Sequence, residues 1–198
     1  MNLPNKLTVS RFVLTVIFVW AVLSRSPLND TLALVFFCAA GVTDFLDGRI
    51  ARSRKLITNF GILMDPLADK VLICSAFIVL VERGRLNPST PVVVEAWMVV
   101  IIVARELAIT GLRLLAASKQ VVLAAERYGK HKTISQIVAI IALLVMDAYV
   151  EWWSWLQGLL TGWVPVFARA ALWVTVALTA FSGGLYLWRN RRIYLDDM

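Results

Sequence analysis

The feature that most constrains this chain is a recurrence of oily stretches, each about as long as a bilayer is thick. They fall at roughly 8–24, 31–52, 60–82, 93–117, 133–149 and 164–188. A helix needs about 20 mostly apolar residues to cross the hydrocarbon core. Lipid admits only helices and closed barrels there, because every backbone polar group must be satisfied internally. Hydrophobic residues make up 60% of the 198, more than a soluble domain of this size can use. The expected fold is an all-α integral membrane protein of six transmembrane helices. The spans leave no room for a second, soluble domain, so residues 1–198 read as one domain.

The start, MNLPNKLTVSRFVL, has the look of a signal peptide, but no small-x-small cleavage site precedes AVLSRSPLND. The first run is therefore expected to stay as a helix, with Pro4 and Asn5 as its lead-in. The net charge of +7 is explained by topology, since Lys and Arg gather on the cytoplasmic side. With both termini cytoplasmic, inside segments hold fourteen basic residues, from Lys6 and Arg11 to Arg191 and Arg192. Outside segments hold four: Arg25, Arg83, Arg85 and Arg169. The tryptophans of VEWWSWLQG then fall outside and read as an interfacial belt. Cys38 and Cys74 lie in apolar runs and read as buried thiols, with no disulfide framework or thiolate metal site. No nucleic-acid motif is present.

Against this background GVTDFLDGRIAR (41–52) stands out. A charge at bilayer depth costs roughly 2.5–3.5 kcal/mol on insertion scales, and Asp44 and Asp47 repel each other. At 100° per residue, Asp44, Asp47, Gly48 and Ala51 share one face of the second span; Gly61, Asp65 and Asp69 share one face of the third. A short basic loop joins the two spans. They are expected to be antiparallel neighbours whose acidic faces look at each other. Four close carboxylates do not all stay ionised unaided. Oxygen-only ligands suit Mg²⁺ or Mn²⁺, and a pair of metal ions is a common clamp for displacement at phosphorus. Gly48, Ala51 and Gly61 clear space beside the acids, and Arg52 is placed to meet phosphate oxygens. A lone DxxD is usually a solvated helix end, and a lone small-xxx-small pattern usually marks helix packing. The joint pattern D-x2-D-G-x2-A-R-x8-G-x3-D-x3-D, matched without a gap, is harder to dismiss.

That pattern resembles the signature of the CDP-alcohol phosphotransferases. The leader PNKLTVSR resembles the family's N-terminal pattern, and VARELAITGLR and YGKHKT resemble the phosphatidylglycerophosphate synthases of bacteria. The resemblance implies the six-helix CDP-alcohol phosphotransferase fold, commonly homodimeric, in the cell (inner) membrane with its site facing the cytoplasm. It implies transfer of the phosphatidyl group of CDP-diacylglycerol to sn-glycerol 3-phosphate, with release of CMP. By position, Asp44, Asp47, Asp65 and Asp69 would hold two metal ions, and Asp69 would be the base. Asn5, Thr8, Gly48, Ala51, Arg52 and Gly61 would line the CDP-donor site.

An anionic acceptor needs cations. Arg105 and Arg113 lie on the fourth span, about 80° apart around the helix, so one pocket can use both. Lys130 and Lys132 open the fifth. The plainer readings are an Arg105–Glu106 pair and positive-inside anchoring of the two lysines. His131 reads as an interfacial residue and Thr133 as a hydrogen-bond donor to phosphate. Without the resemblance, Thr8 or Ser10 reads as a helix cap and Arg11 as a snorkelling side chain. Other acceptors (inositol phosphate, serine, phosphatidylglycerol) fit the same aspartates. An aspartate-rich prenyltransferase and a cation transporter are the more distant readings.

Overall fold

The computed structural model of the protein describes residues 3–24, 28–54, 59–87, 90–121 and 128–195, with the side chains of 3–5, 45, 47–54, 59–63 and 128–131 left aside. Six long helices carry the fold: α1 (Leu3–Leu23), α2 (Asn29–Arg54), α3 (Asn59–Leu86), α4 (Ala96–Ser118), α5 (Tyr128–Ala148) and α7 (Val164–Arg189). Between α5 and α7 come a 3₁₀ turn (Tyr149–Glu151) and a short α6 (Ser154–Leu160); a last turn, α8 (Arg192–Leu195), follows α7. No strand occurs among the described residues. α1 begins earlier than expected, at Leu3, because a proline is tolerated in the first helical turn, where its missing N–H would have no partner anyway. Thr8 and Ser10 are therefore not caps.

By length and composition, Lys6–Leu23, Lys132–Glu151 and Val164–Arg189 suit a membrane crossing. α2, α3 and α4 are as long, at 26, 28 and 23 residues, but polar side chains interrupt them. Their interruptions are Asp44, then Asp65, Asp69 and Lys70, then Arg105 and Glu106. Burial is partly inside-out, as lipid demands. Val16 is 69% exposed and Phe181 72%, while Thr8, Arg11, Lys132, Gln136, Thr175 and Thr179 are buried. In water so large an apolar surface would be a liability; against acyl chains it is the solvated face.

Cross-helix pairs give the sense of each helix. Arg11 meets Asp44 and Phe18 meets Phe37, so α1 and α2 are antiparallel. Asp30 meets Arg83 across α2 and α3, and Lys70 meets Thr110 across α3 and α4. Trp97, Arg105 and Arg113 of α4 meet Trp173, Gly183 and Tyr186 of α7 in rising order, so these two run parallel. Alternating up and down topology satisfies every pair.

One expectation fails. Among the described residues, α2 and α3 are not close neighbours along their length. α1 packs against both far more than they pack against each other. Its buried stripe of Thr8, Arg11, Thr15, Phe18 and Val22, spaced by three or four residues, enters between them. Cys38 is also exposed rather than buried. The buried face of α2 is Ala33, Phe37 and Ala40, and one residue past Phe37 turns 100° away from it. Trp153 and Trp155 are exposed as a belt requires, but Trp152 turns inward and donates to Thr31 Oγ1 at 3.0 Å.

Candidate active site

α1 organises the acidic end of the bundle. Thr8 Oγ1 donates to Asp65 Oδ1 at 2.6 Å, tying α1 to α3. Arg11 Nη1 meets Asp44 Oδ1 at 2.7 Å, tying α1 to α2. The Arg11 side chain is 1% exposed and that of Asp44 48%. Arg11 thus points inward at an acid and does not snorkel. Its own helix is anchored by Thr15, whose hydroxyl donates to the Arg11 carbonyl at 2.8 Å. Asp69 lies one turn beyond Asp65 on α3. Its carboxylate is within electrostatic reach of Asp44, Arg11, Lys132 and Glu106. Pro66 sits between the two acids inside α3, where it removes one rung of the helical ladder beside them.

Three of the four signature aspartates, Asp44, Asp65 and Asp69, are therefore in one neighbourhood, though gathered by α1 rather than by direct α2–α3 contact. Among the described residues no group of three or more His, Cys, Asp or Glu is drawn tightly enough to hold a metal ion. The side chain of the fourth signature acid, Asp47, lies outside what is described, as do those of Asn5, Gly48, Ala51, Arg52, Gly61, Lys130 and His131. The donor chemistry fits a hard divalent cation. The described acids offer oxygen ligands, and Asp44 is half open beyond its arginine.

The second half of the site hangs on Glu106, buried on α4. Its Oε1 accepts from Lys132 Nζ of α5 and from Arg105 Nη1, the latter at 3.2 Å. Arg105 reaches this acid by crossing α7 at Gly183, where a Cβ would stand 2.6 Å from its Cγ. Glycine is required there by close approach. One turn further along α4, Thr110 Oγ1 donates to the Glu106 carbonyl at 2.7 Å and accepts from Lys70. Sequence reading had Glu106 only as a neighbour of Arg105 and passed over Lys70. An intramembrane lysine beside Asp69 was the available signal.

Arg113 is not brought to this group. It lies about 12 Å further along α4, exposed, with its Nε donating to Tyr186 Oη at 3.4 Å and its guanidinium 5.8 Å from the centre of that ring. A buried lysine and a partly buried arginine from different helices share one acid near Asp69, a grouping suited to a phosphorylated alcohol. The carboxylates of α2 and α3 suit a metal-bound diphosphate.

Known proteins match this sequence along its length. The family model for CDP-alcohol phosphatidyltransferase matches residues 1–181. The chain is 38% identical to the CDP-diacylglycerol–glycerol-3-phosphate 3-phosphatidyltransferase of Bacillus subtilis (strain 168), covering 96% of this chain and 95% of that one. Proteins of the same name from Rickettsia felis and Shigella flexneri serotype 5b are each 31% identical, covering 93% and 99% of this chain and 93% and 98% of their own. With its acids, its spacing and these relatives in agreement, the chain belongs to the CDP-alcohol phosphatidyltransferase family.

Proposed function

We propose that this protein transfers the phosphatidyl group of CDP-diacylglycerol to sn-glycerol 3-phosphate, giving phosphatidylglycerophosphate and CMP. One observation carries the reading. Asp69 is within electrostatic reach of both the Arg11–Asp44 pair of α1 and α2 and the Lys132–Glu106 pair of α5 and α4, which supports its use as a base shared by donor and acceptor. The names of the relatives support the choice of acceptor.

The family is generally divalent-metal dependent. Asp44, Asp47, Asp65 and Asp69 would hold two divalent cations, Mg²⁺ or Mn²⁺, whose chemistry is to draw charge from the donor diphosphate. Asn5, Thr8, Gly48, Ala51, Arg52 and Gly61 line the donor site. Lys132 and Arg105, with Lys130, draw in the acceptor phosphate. Asp69 takes the proton of the 1-hydroxyl. That oxygen then bonds to the lipid-side phosphorus as the bond to CMP breaks. Arg11 holds Asp44 in place for the donor half. The whole is one domain of six spans in the cell membrane, termini and site on the cytoplasmic face, working as a homodimer.

The test is an assay of purified protein with CDP-diacylglycerol, Mg²⁺ and a panel of acceptors, following CMP. Release with sn-glycerol 3-phosphate, and not with serine, inositol phosphate or phosphatidylglycerol, is expected. Preference for another acceptor would overturn the reading.

A further inference from the structure

Lys132 does not stand alone on its face of α5. Positions 132, 136, 140 and 143 follow helical spacing, and all four are buried. Ile140 and Leu143 are what a bundle interior calls for. Gln136 is not. It is 2% exposed, and its Nε2 has no hydrogen-bond partner among the described residues. Buried polar groups in native proteins are nearly always hydrogen-bonded, and each exception asks for a reason. Packing supplies none, since an apolar side chain would continue the stripe. Position supplies one. Gln136 is a single turn inward of Lys132, which binds Glu106 and lies within electrostatic reach of Asp69.

We propose that Gln136 determines acceptor specificity, its side-chain amide holding the 2-hydroxyl of sn-glycerol 3-phosphate. This rests on the reaction proposed above. With the phosphate at Lys132 and Arg105 and the 1-hydroxyl at Asp69, the middle hydroxyl is the one polar group of the acceptor still unassigned. An alcohol both donates and accepts, and a primary amide answers both needs. An amide also leaves that hydroxyl its proton. Held there, it stays away from the base, and transfer goes to the primary oxygen.

The experiment compares sn-glycerol 3-phosphate with 3-hydroxypropyl phosphate, which has the same length and lacks the 2-hydroxyl. CMP release is measured for the wild type and for Gln136→Met, which keeps the length and removes the amide. The wild type should favour the natural acceptor by about tenfold in kcat/KM, the scale of one hydrogen bond to a buried group. In Gln136→Met the preference should fall to near one, through loss on the natural acceptor alone. Gln136→Asn should restore part of it, and Gln136→Leu serves if the Met variant folds poorly. An unchanged preference, or equal losses on both acceptors, overturns the role of Gln136 while leaving the reaction standing. A wild type that releases no CMP with sn-glycerol 3-phosphate overturns the reaction, and this role with it.

Discussion

The bundle carries an arginine–aspartate pair at each end, and the two are built differently. At the end farther from the signature acids, outer only in that sense, Arg83 of α3 meets Asp30 of α2, and the two side chains are similarly buried, at 15% and 14% exposure. Around them Glu151 accepts from the backbone N–H groups of Asp30 and Thr31, and Trp152 donates to Thr31. Every element is tied to another, so the cluster is a clasp. At the inner end Arg11 is sealed in, but its aspartate, Asp44, is half open. Thr8 fixes Asp65 in the same fashion. Here α1 meets Asp44 and Asp65 at their Oδ1 atoms and leaves Asp44 reachable. The same pair of residue types serves as a lock where both partners are buried alike. Where one partner is open, it serves as a prepared site.

The largest expected effect tests the inner end directly. Asp69→Asn should lower kcat by about 10²–10⁴, the usual worth of a positioned base. Donor binding should fall far less than turnover, because Asp44, Asp47 and Asp65 remain to hold the cations, and the melting temperature in detergent should stay close to wild type, because Asp69 has no place in the clasp. CMP release in single-turnover assays reads the first, and retention on a CDP-bearing resin reads the second. Turnover near wild type would remove Asp69 from its role as base.

A smaller effect is expected of Arg11→Met, which sharpens the contrast between the two arginines. Asp44 is open enough to be solvated when its partner goes, so the fold should survive. A cation beside a metal-binding acid opposes a second cation. The variant should then reach half-maximal activity at severalfold lower Mg²⁺ while its kcat falls severalfold, since Asp44 is no longer held in orientation. A magnesium titration of CMP release decides it. An unaltered midpoint would mean that the inner pair is a lock like the outer one.

Much of this was legible beforehand, and the reason is specific. Oily runs give helix positions, so all six long helices lie within a few residues of the expected spans, although hydropathy alone would end α2 at Thr43 and it runs through its acids to Arg54. The acids were legible because a fixed spacing on a helix fixes a face. What a face meets is another matter, because it depends on how each helix is rotated against its neighbours. Chain order made α2 and α3 the obvious partners, yet the stripe of α1 lies between them. Glu106 and Lys132 are 26 residues apart and on different helices, so no local pattern joins them. Arg113 and Tyr186 are 73 residues apart, and their contact takes from the acceptor pocket a cation that spacing had assigned to it.

The smallest expected effect tests the outer end. Glu151 accepts from Asp30 N at 3.1 Å, Thr31 N at 2.9 Å and Thr31 Oγ1 at 2.5 Å. It thus caps the first turn of α2 from 120 residues away, where exposed N–H groups and the helix dipole favour an anion. Glu151→Gln keeps the shape and removes the charge, and charge-assisted hydrogen bonds are about twice as strong as neutral ones. A loss of about 1–2 kcal/mol is expected, seen as a fall of a few degrees in the melting temperature in detergent. The acids should not notice, because fourteen residues of α2, about 21 Å of helix, separate Asp30 from Asp44. Both KM values and kcat should therefore match the wild type. A variant that melts normally but turns over severalfold more slowly would make the clasp part of the reaction, and the division of labour between the two arginine–aspartate pairs would have to be abandoned.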